Sequence, residues 1–478
     1  MIAIVFAGVL AAFLIIGLAS ARRSTGDRQD YYVASQSVSP WMAGLSAVAT
    51  NNSGYMFIGV IGYTYTTGLA AIWLMVGWIL GDFLGSTFIH RRLRHATATT
   101  GKASFASVVA GWGGGEWPVW RRIAAILMIV FLAAYAAAQI SAGSKALDGV
   151  LGVDPRLGAV SVAVIILAYS IAGGIRASIW TDAAQSIVMI VAMTLLFVVA
   201  LNGVGGLSGA IAKWETIPGF LNLSPPDLRV AGMAGLSLFV IGWLFAGFSV
   251  VGQPHVMIRF MALDQESHMT SARAWYYAYF TAFYLLATGV GMLSRLYLPD
   301  MASMDPELAL PRMAVELLPA ALVGVILAGV FAATMSTADS LVLACSSAMT
   351  HDLPDTPVER PWILKAATAV STLGALALAL SGNQSVFDLV ILAWSTLAVA
   401  FAPLLALLAL GRRVNEWTAI GLMALGVGVA LWWRFGLHLQ DDIYEGFPGI
   451  VIPFVVGWFA SRKVGVEAIR SEAPAEAD

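Results

Sequence analysis

Long apolar segments, repeated along nearly the whole chain, constrain what this sequence can fold into more than any other feature. Stretches of about 20 mainly apolar residues, the length that crosses a hydrocarbon core, recur from the N-terminus almost to the C-terminus. Only 11% of the residues carry a charge, whereas about a quarter do in a soluble domain. The sequence therefore predicts an all-α integral membrane protein and excludes a water-soluble globular, disordered or coiled-coil chain.

Thirteen segments are candidate transmembrane helices. The segment at 313–350 is too long for one straight span, so its first part, from Pro311 to about Leu318, is expected in a loop or at the membrane interface. The approximate extents of the thirteen are 2–20, 41–66, 67–89, 121–144, 156–173, 179–203, 231–252, 272–297, 313–350, 363–381, 385–410, 416–436 and 448–461.

The Lys and Arg residues predict the orientation. With an outside N-terminus and thirteen spans, 19 of the 26 Lys and Arg residues fall inside and 7 fall outside, as the positive-inside rule requires. Arg22 and Arg23 follow the first segment and no basic residue precedes it, which suits a retained anchor rather than a signal peptide. We therefore expect a multi-pass protein of the cell (inner) membrane. The net charge of −2 provides no basic surplus for nucleic acid.

Two of the candidate spans contain segments that a plain membrane helix would avoid. The first is Ala49–Gly54, with the sequence ATNNSG, and the second is Gly247–His255, with the sequence GFSVVGQPH. Non-helical backbone at membrane depth is tolerated where it lines a cavity or is buried in protein. Because the breaks occupy corresponding places when the first span is set aside, they indicate a secondary transporter with inverted repeats. The alternative for each break is a simple Gly/Pro kink.

Six short motifs resemble the sodium/solute symporter family, which includes bacterial proline, sialic acid and sugar transporters. The resemblance implies a leucine-transporter-like fold with a five-plus-five inverted repeat and flanking helices. The motifs are SGYMF at 53–57, QISAGSKA at 139–146, AGGIRASIWTD at 172–182, GQPHVMIRFMA at 252–262, AATMSTADS at 332–340 and AW at 393–394.

The resemblance also divides the chain into five regions. The expected regions are an extra N-terminal helix and cytoplasmic loop (1–40), a first repeat (41–203), an external loop with the second repeat (204–410), extra C-terminal helices (411–463) and a disordered cytoplasmic tail (464–478).

A primary sodium site is predicted on the ninth span. On a helix, Ala333 lies one turn before Ser336 and Thr337, whose hydroxyl groups can flank one point. The resemblance implies a site made of those two hydroxyls, the Ala333 carbonyl and the carbonyls of Ala49 and Asn52. Such neutral oxygens suit a hard monovalent cation, so sodium is the expected coupling ion. The alternative is that the two hydroxyls bond only to their own helix.

A second cation site is expected around two carboxylates at membrane depth, where an unpaired charge is costly. Asp339, Ser336 and Ser340 share one helical face, and the resemblance brings Asp182 near that face. The alternatives are a hydrogen-bonded contact between helices and an inner gate, in which the acid is protonated or pairs with a distant Arg. Asp82 and Asp388 lie closer to span ends, and we expect both to be solvated.

The substrate site is expected near the two breaks, where aromatic faces and a few polar groups would form a small-molecule pocket. Within the resemblance, the proline branch has Asp at the place of Asn51 and Trp at the place of Tyr55. Asn51 is closer to sugar-transporting members, whereas GQPH with RFMA is closer to the proline branch. The predicted substrate-binding residues are Asn51, Ser53, Tyr55, Tyr135, Gln139, Phe245, Phe248 and Trp394.

These features together predict a sodium-coupled secondary active symporter that imports a small organic solute by alternating access. An amino acid or similar carboxylate is favoured, and the expected partners are that solute, sodium and the lipid bilayer, with the protein a monomer. The alternatives are a sodium/sugar-type symporter, or a solute sensor or channel on the same scaffold. The sequence contains no His-Glu-x-x-His zinc motif and a single cysteine, Cys345, so an enzyme is not expected.

Overall fold

The computed structural model describes residues 1–21, 33–226, 228–299, 304–356, 358, 360–382 and 385–463. The predicted disordered tail, 464–478, lies outside these residues. A two-residue antiparallel pair joins Arg412–Arg413 (β1) to Arg462–Lys463 (β2). The α-helices are α1 (Ile2–Ala21), α2 (Pro40–Gly54), α3 (Val60–Thr67), α4 (Ile72–Thr100), α5 (Phe105–Gly111), α6 (Pro118–Leu151), α7 (Pro155–Gly203), α8 (Gly206–Trp214), α9 (Gly232–Phe248), α10 (Pro254–Met261), α11 (Met269–Tyr297), α12 (Ala309–Leu317), α13 (Ala320–Ser347), α14 (Pro361–Ser381), α15 (Val386–Ala409), α16 (Glu416–Leu431) and α17 (Gly446–Ala460).

Ten helical segments among the described residues are long and apolar enough to cross a membrane. One of them, Pro40–Thr100, contains the three helices α2, α3 and α4. The chain turns within this segment at Gly68, which has φ 71°. Two further apolar helical segments, Pro155–Ala168 and Gly446–Ala460, are shorter. The membrane character is thus confirmed, while the count of thirteen spans stays a prediction.

The long segment at 313–350 divides where the sequence indicated. Helix α12 ends at Leu317, and α13 begins at Ala320 after Pro319 in an extended-like conformation. Proline suits the start of a helix because it has no backbone N–H to leave unpaired. Only α13 is therefore a core span.

Both predicted breaks are present as non-helical backbone. At the first, Ser53 has φ 48° and ψ 179°, and a π-helical turn follows at Tyr55–Gly59. At the second, a 3₁₀ turn at Ser249–Gly252 leads to Gln253, which has φ −99° and ψ 100°. Pro254 explains the second break, since proline forces the residue before it out of the helical region.

Helices α13 and α15 form the centre of the molecule. In the most apolar stretch of the span Val386–Ala409, 83% of the residues are buried, against 11% in the span that contains α1. Helix α13 packs against α2, α6 and α7, which brings its polar face to the first break. Helices α4 and α9 cross closely at Gly81 and Gly247, where an added Cβ would overlap the backbone oxygens of Leu244 and Trp78.

Candidate functional site

The hydroxyl groups of α13 reach the backbone carbonyls that precede the first break. Ser336 Oγ donates to the carbonyl oxygens of Ala49 and Ala333, each at 3.1 Å. Thr337 Oγ1 donates to the Thr50 carbonyl at 2.8 Å. The structure therefore brings Ala49, Ala333 and Ser336 together, with Thr337 one carbonyl further along the broken helix.

Asn52, the remaining predicted sodium ligand, has a different hydrogen-bond partner. The Asn52 carbonyl accepts the backbone N–H of Tyr55, whereas the carbonyl that accepts from Thr337 is that of Thr50. Both hydroxyls and all of these carbonyls belong to fully buried residues. A cluster of neutral, buried oxygens is chemically suited to a dehydrated monovalent cation, because no carboxylate is needed to balance a second charge.

A buried ion pair lies one turn further along α13. The Arg259 guanidinium is 3.2 Å from Asp182 Oδ2, and both side chains have no exposed surface. Ser46 donates to the same carboxylate oxygen at 2.6 Å. Arg259 also donates to the hydroxyls of Ser178 and Ser340.

Arg259 is the residue that sequence reasoning missed in this cluster. It lies in the RFMA part of the motif after the second break, on the buried helix α10. Its guanidinium contacts Asp182 and Ser340, two members of the predicted second cation site. Asp339 lies buried beside Ser178 on the neighbouring α7.

Polar groups from α6 contact the backbone at the first break. Gln139 Oε1 accepts the Gly54 N–H at 2.8 Å, and Ser53 Oγ accepts the Tyr55 N–H at 3.0 Å. The Tyr135 hydroxyl donates to Ser53 Oγ at 3.3 Å. The backbone N–H groups of Gly54 and Tyr55, where the second half of the broken helix begins, are therefore hydrogen-bonded to two neutral side-chain oxygens.

Aromatic rings surround this polar group. The Trp394 ring lies 6.5 Å from that of Tyr135 and 5.3 Å from that of Trp78, between centroids. Trp78 in turn lies 5.5 Å from Tyr55. His255, at the second break, packs edge-on against Tyr135 at 5.4 Å. Five of the predicted substrate residues, Ser53, Tyr55, Tyr135, Gln139 and Trp394, thus belong to one connected set that spans both breaks.

Phe245 and Phe248 lie elsewhere. The Phe245 ring packs edge-on against Phe447 of α17 at 4.9 Å, and Phe248 packs against the surface of α4 at Gly85. Both side chains are partly exposed. Their face of α9 therefore points toward neighbouring helices, and their part in substrate binding stays a prediction.

Several buried polar atoms near the breaks lack a hydrogen-bond partner among the described residues. Leaving such a group unpaired in a protein interior costs about 1–3 kcal/mol, so a cluster of them marks a place where a ligand or water completes the bonding. These atoms are Asn51 Oδ1, Tyr55 Oη, Gln139 Nε2, Gln253 Oε1 and both ring nitrogens of His255.

The prediction of a solvated Asp82 is wrong. Its carboxylate is fully buried and accepts hydrogen bonds from Tyr276 at 2.6 Å and Tyr277 at 2.7 Å. The close crossing of α4 and α9 and the packing of α11 against α4 cover this turn. Asp388, by contrast, keeps 67% of its side-chain surface exposed, as expected.

A cavity of about 590 Å³ opens on the side that the Lys and Arg distribution predicts to be external. Tyr63, Phe387, Trp243 and Tyr444 are among its lining residues. The Phe387 ring stacks on Tyr63 at 5.1 Å and lies 5.4 Å from Tyr55. An aromatic layer therefore separates this cavity from the buried polar set.

Comparison of the sequence with known proteins gives consistent matches over nearly its full length. A family model described as "Sodium:solute symporter family" matches residues 31–426. The high-affinity proline transporter PutP of Bacillus subtilis is 27% identical over 97% of both chains. A sodium/proline symporter of Staphylococcus aureus is 27% identical over 94% of this chain and 90% of its own.

Comparison of the structure gives matches to transporters. A Na⁺-coupled sialic acid symporter, solved in a substrate-bound outward-open state, has a TM-score of 0.80 and 19% identity, covering 97% of this chain and 99% of that one. Mhp1, a nucleobase-cation-symport-1 family transporter in a closed conformation, has a TM-score of 0.58 and 15% identity, covering 90% and 94%. These likenesses confirm the predicted all-α, leucine-transporter-like membrane fold.

Proposed function

The chain belongs to the sodium:solute symporter family, and we propose that it imports a small carboxylate-bearing solute, with an amino acid favoured, together with sodium by alternating access. Coupled transport needs an ion site and a solute site that share a moving element. In this chain the first broken helix supplies both.

The observation that carries the proposal is the contact between α13 and that helix. Ser336 Oγ bridges the carbonyls of Ala49 and Ala333, and Ser53, at the break itself, lies four residues after Ala49. A sodium ion held by these oxygens would fix the conformation of the break. The solute groups that meet Ser53 and Gly54 would then bind to a preorganised backbone.

A carboxylate suits the start of the second half-helix. The N-terminus of a helix favours anions through its free N–H groups and its dipole. The Gly54 N–H is held here by a neutral amide oxygen of Gln139, whose own Nε2 has no partner in the described part of the chain. An incoming carboxylate could accept from Gln139 Nε2 directly, and from the Gly54 N–H if it displaced the Gln139 amide oxygen. The naming of two relatives as proline transporters supports an amino acid.

A sugar is the second candidate. Asn51 offers an uncharged amide beside the break, and its Oδ1 has no hydrogen-bond partner among the residues described. A neutral polyol could use such an acceptor as well as an amino group could. The half-helix N-terminus distinguishes the two, since only the carboxylate gains from the dipole.

The test is uptake into proteoliposomes that contain the purified protein. Radiolabelled proline, other amino acids, a sialic acid and neutral sugars would each be offered with an inward sodium gradient, a potassium gradient or a proton gradient. We expect sodium-dependent, saturable uptake of a carboxylate-bearing solute. Uptake of neutral sugars alone would reject the carboxylate proposal, and equal uptake in sodium-free buffer with a proton gradient would reject sodium coupling.

A further inference from the structure

The fully buried carboxylate of Asp82 ends a chain of hydrogen bonds that reaches the first helix break. The Asn51 amide nitrogen lies 2.5 Å from the Tyr276 hydroxyl oxygen, and that hydroxyl lies 2.6 Å from Asp82 Oδ2. Asn51, Tyr276 and Asp82 come from α2, α11 and α4, respectively. The chain therefore links the break to two helices that contribute nothing to the predicted sodium site.

The other oxygen of the carboxylate has its own donors. Tyr277 donates to Asp82 Oδ1 at 2.7 Å, and the Tyr277 hydroxyl lies 2.6 Å from Ser86 Oγ. Arg273 Nε donates to Ser86 Oγ at 3.1 Å. The Arg273 guanidinium lies two hydroxyl groups away from Asp82, and with Ser86 donating to Tyr277 both branches have their protons directed toward the carboxylate.

Counting protons decides how the Asn51 amide is oriented. An ionised Asp82 only accepts, so in that state the one proton of the Tyr276 hydroxyl is donated to its carboxylate. The Tyr276 oxygen can then only accept, and the group that it accepts from must be the NH₂ of Asn51. The amide oxygen of Asn51 therefore lies on the opposite side, and it has no partner within the described ranges.

We propose that Asp82 is a positioning residue which, through Tyr276, fixes the Asn51 amide so that its oxygen is offered to the solute as an acceptor. The site then selects solutes that carry an N–H donor beside their carboxylate, such as an amino acid. A solute with an acceptor at that place would meet two oxygens without a proton between them. The solute half of this inference rests on the proposed function, whereas the orientation of Asn51 rests on the geometry alone.

The first test exchanges the amide and the carboxylate at the two ends of the hydrogen-bond series, residues 51 and 82. Asn51→Asp places a second carboxylate against the one proton of Tyr276, so we expect a clear loss of melting temperature in detergent. Adding Asp82→Asn restores one donor and one acceptor with the direction reversed, because the amide of residue 82 then donates to Tyr276. The double variant should recover more than half of the loss. Additive losses from the two substitutions would overturn the inference, since independent sites add.

The second test compares two matched tyrosine variants. Tyr276→Phe frees the Asn51 amide to rotate, whereas Tyr277→Phe removes the other hydroxyl from Asp82 and leaves the Asn51 contact in place. The probes are proline and tetrahydrofuran-2-carboxylate, which has a ring oxygen where proline has its nitrogen. Sodium-driven uptake of labelled proline would be measured with the analogue as competitor.

Wild type and Tyr277→Phe should both bind proline much more tightly than the oxygen analogue. In Tyr276→Phe the ratio of the two affinities should fall by about tenfold, the effect of one hydrogen bond to a charged group. Equal preferences in the two tyrosine variants would overturn the orienting role. If the wild type binds neither probe, proline is excluded as its solute, and the melting temperatures of the exchange variants still decide whether Asp82 orients Asn51.

Discussion

The hydroxyl oxygen of Ser336 lies 3.1 Å from the carbonyl oxygen of Ala49, across the interface between α13 and the broken helix. The same hydroxyl lies 3.1 Å from the Ala333 carbonyl one turn back on its own helix. Movement of either helix would separate the Ala49 carbonyl from the other two oxygens, which both belong to α13. Sodium binding at this point would thus favour one relative position of the two helices, which is what coupling requires.

Replacing Thr337 by Ala should weaken sodium activation of uptake. The substitution removes a hydroxyl that reaches the Thr50 carbonyl at 2.8 Å. We expect the sodium concentration for half-maximal uptake to rise by about tenfold, with little change at saturating sodium, because one hydrogen-bonding ligand contributes roughly 1–1.5 kcal/mol. The measurement is initial uptake rate against sodium concentration.

The matched control for Thr337→Ala is Thr194→Ala. Thr194 is exposed on α7, and its hydroxyl donates only to the Ile190 carbonyl of its own helix at 2.7 Å. This control should keep the sodium dependence of the wild type. Identical sodium dependence in both variants would remove Thr337 from the proposed site.

Replacing Gln139 by Glu should select against carboxylate solutes. The new carboxylate would accept the Gly54 N–H in place of the amide oxygen, which now lies 2.8 Å away. It would also repel an anionic group at the same half-helix, so the KM for a carboxylate solute should rise by about tenfold or more. Competition assays in the same variant should show unchanged binding of neutral solutes. An unaltered KM for the carboxylate would place its binding group elsewhere.

Sequence reasoning located both helix breaks because their signals are local. Pro254 and the run of Asn and Ser before Gly54 disfavour helix whatever surrounds them. The environment of Asp82 could not be found in this way, since its burial depends on α9 and α11, which are distant in sequence.

The sequence also could not predict which side of a broken helix faces the proposed solute site. Each residue turns a helix by about 100°, so the face that points to the site depends on where the break falls. Phe245 and Phe248 precede the second break and pack toward α17 and α4. The partner of Asp182 was equally hidden, because Arg259 lies on another helix after a second break of unknown geometry.

Replacing Arg259 by Gln should destabilise the protein more than the paired change Arg259→Gln with Asp182→Asn. The single variant leaves the Asp182 carboxylate buried without its cation, and breaking such a pair costs about 3–5 kcal/mol. The paired variant removes both charges and should recover much of that loss. Thermal unfolding in detergent measures both, with Arg92→Gln as a control at an exposed guanidinium. Equal losses in the single and paired variants would mean that the ion pair contributes nothing specific.

Cysteine labelling should confirm the predicted orientation. Cys345 is the sole cysteine of the sequence, so Cys345→Ala provides a cysteine-free background. Glu116→Cys and Glu215→Cys place thiols at exposed positions on opposite predicted sides. In intact cells a membrane-impermeant maleimide should label residue 215 and spare residue 116 until the membrane is opened. Labelling of residue 116 in sealed cells would reverse the assignment.

The last prediction concerns a second sodium ion beside Asp339. Arg259 forms an ion pair with Asp182 in the described structure, and one guanidinium balances one of the two carboxylates. Asp339 is buried and lies beside Ser178. Because an unpaired carboxylate in this setting either binds a proton or a cation, a sodium ion shared with Ser336 and Ser340 would complete the charge balance.

A second coupled ion predicts cooperative activation of uptake by sodium. The Hill coefficient of the wild type should exceed one and should fall towards one in Asp339→Ala and in Asp182→Ala. The reversal potential in proteoliposomes should independently give two sodium ions per solute. If the wild type instead shows non-cooperative activation and a single sodium ion per solute, Asp339 binds no coupled cation. That result would favour the alternative role of this cluster as an inner gate, in which Arg259 pairs with Asp182 and donates to Ser340.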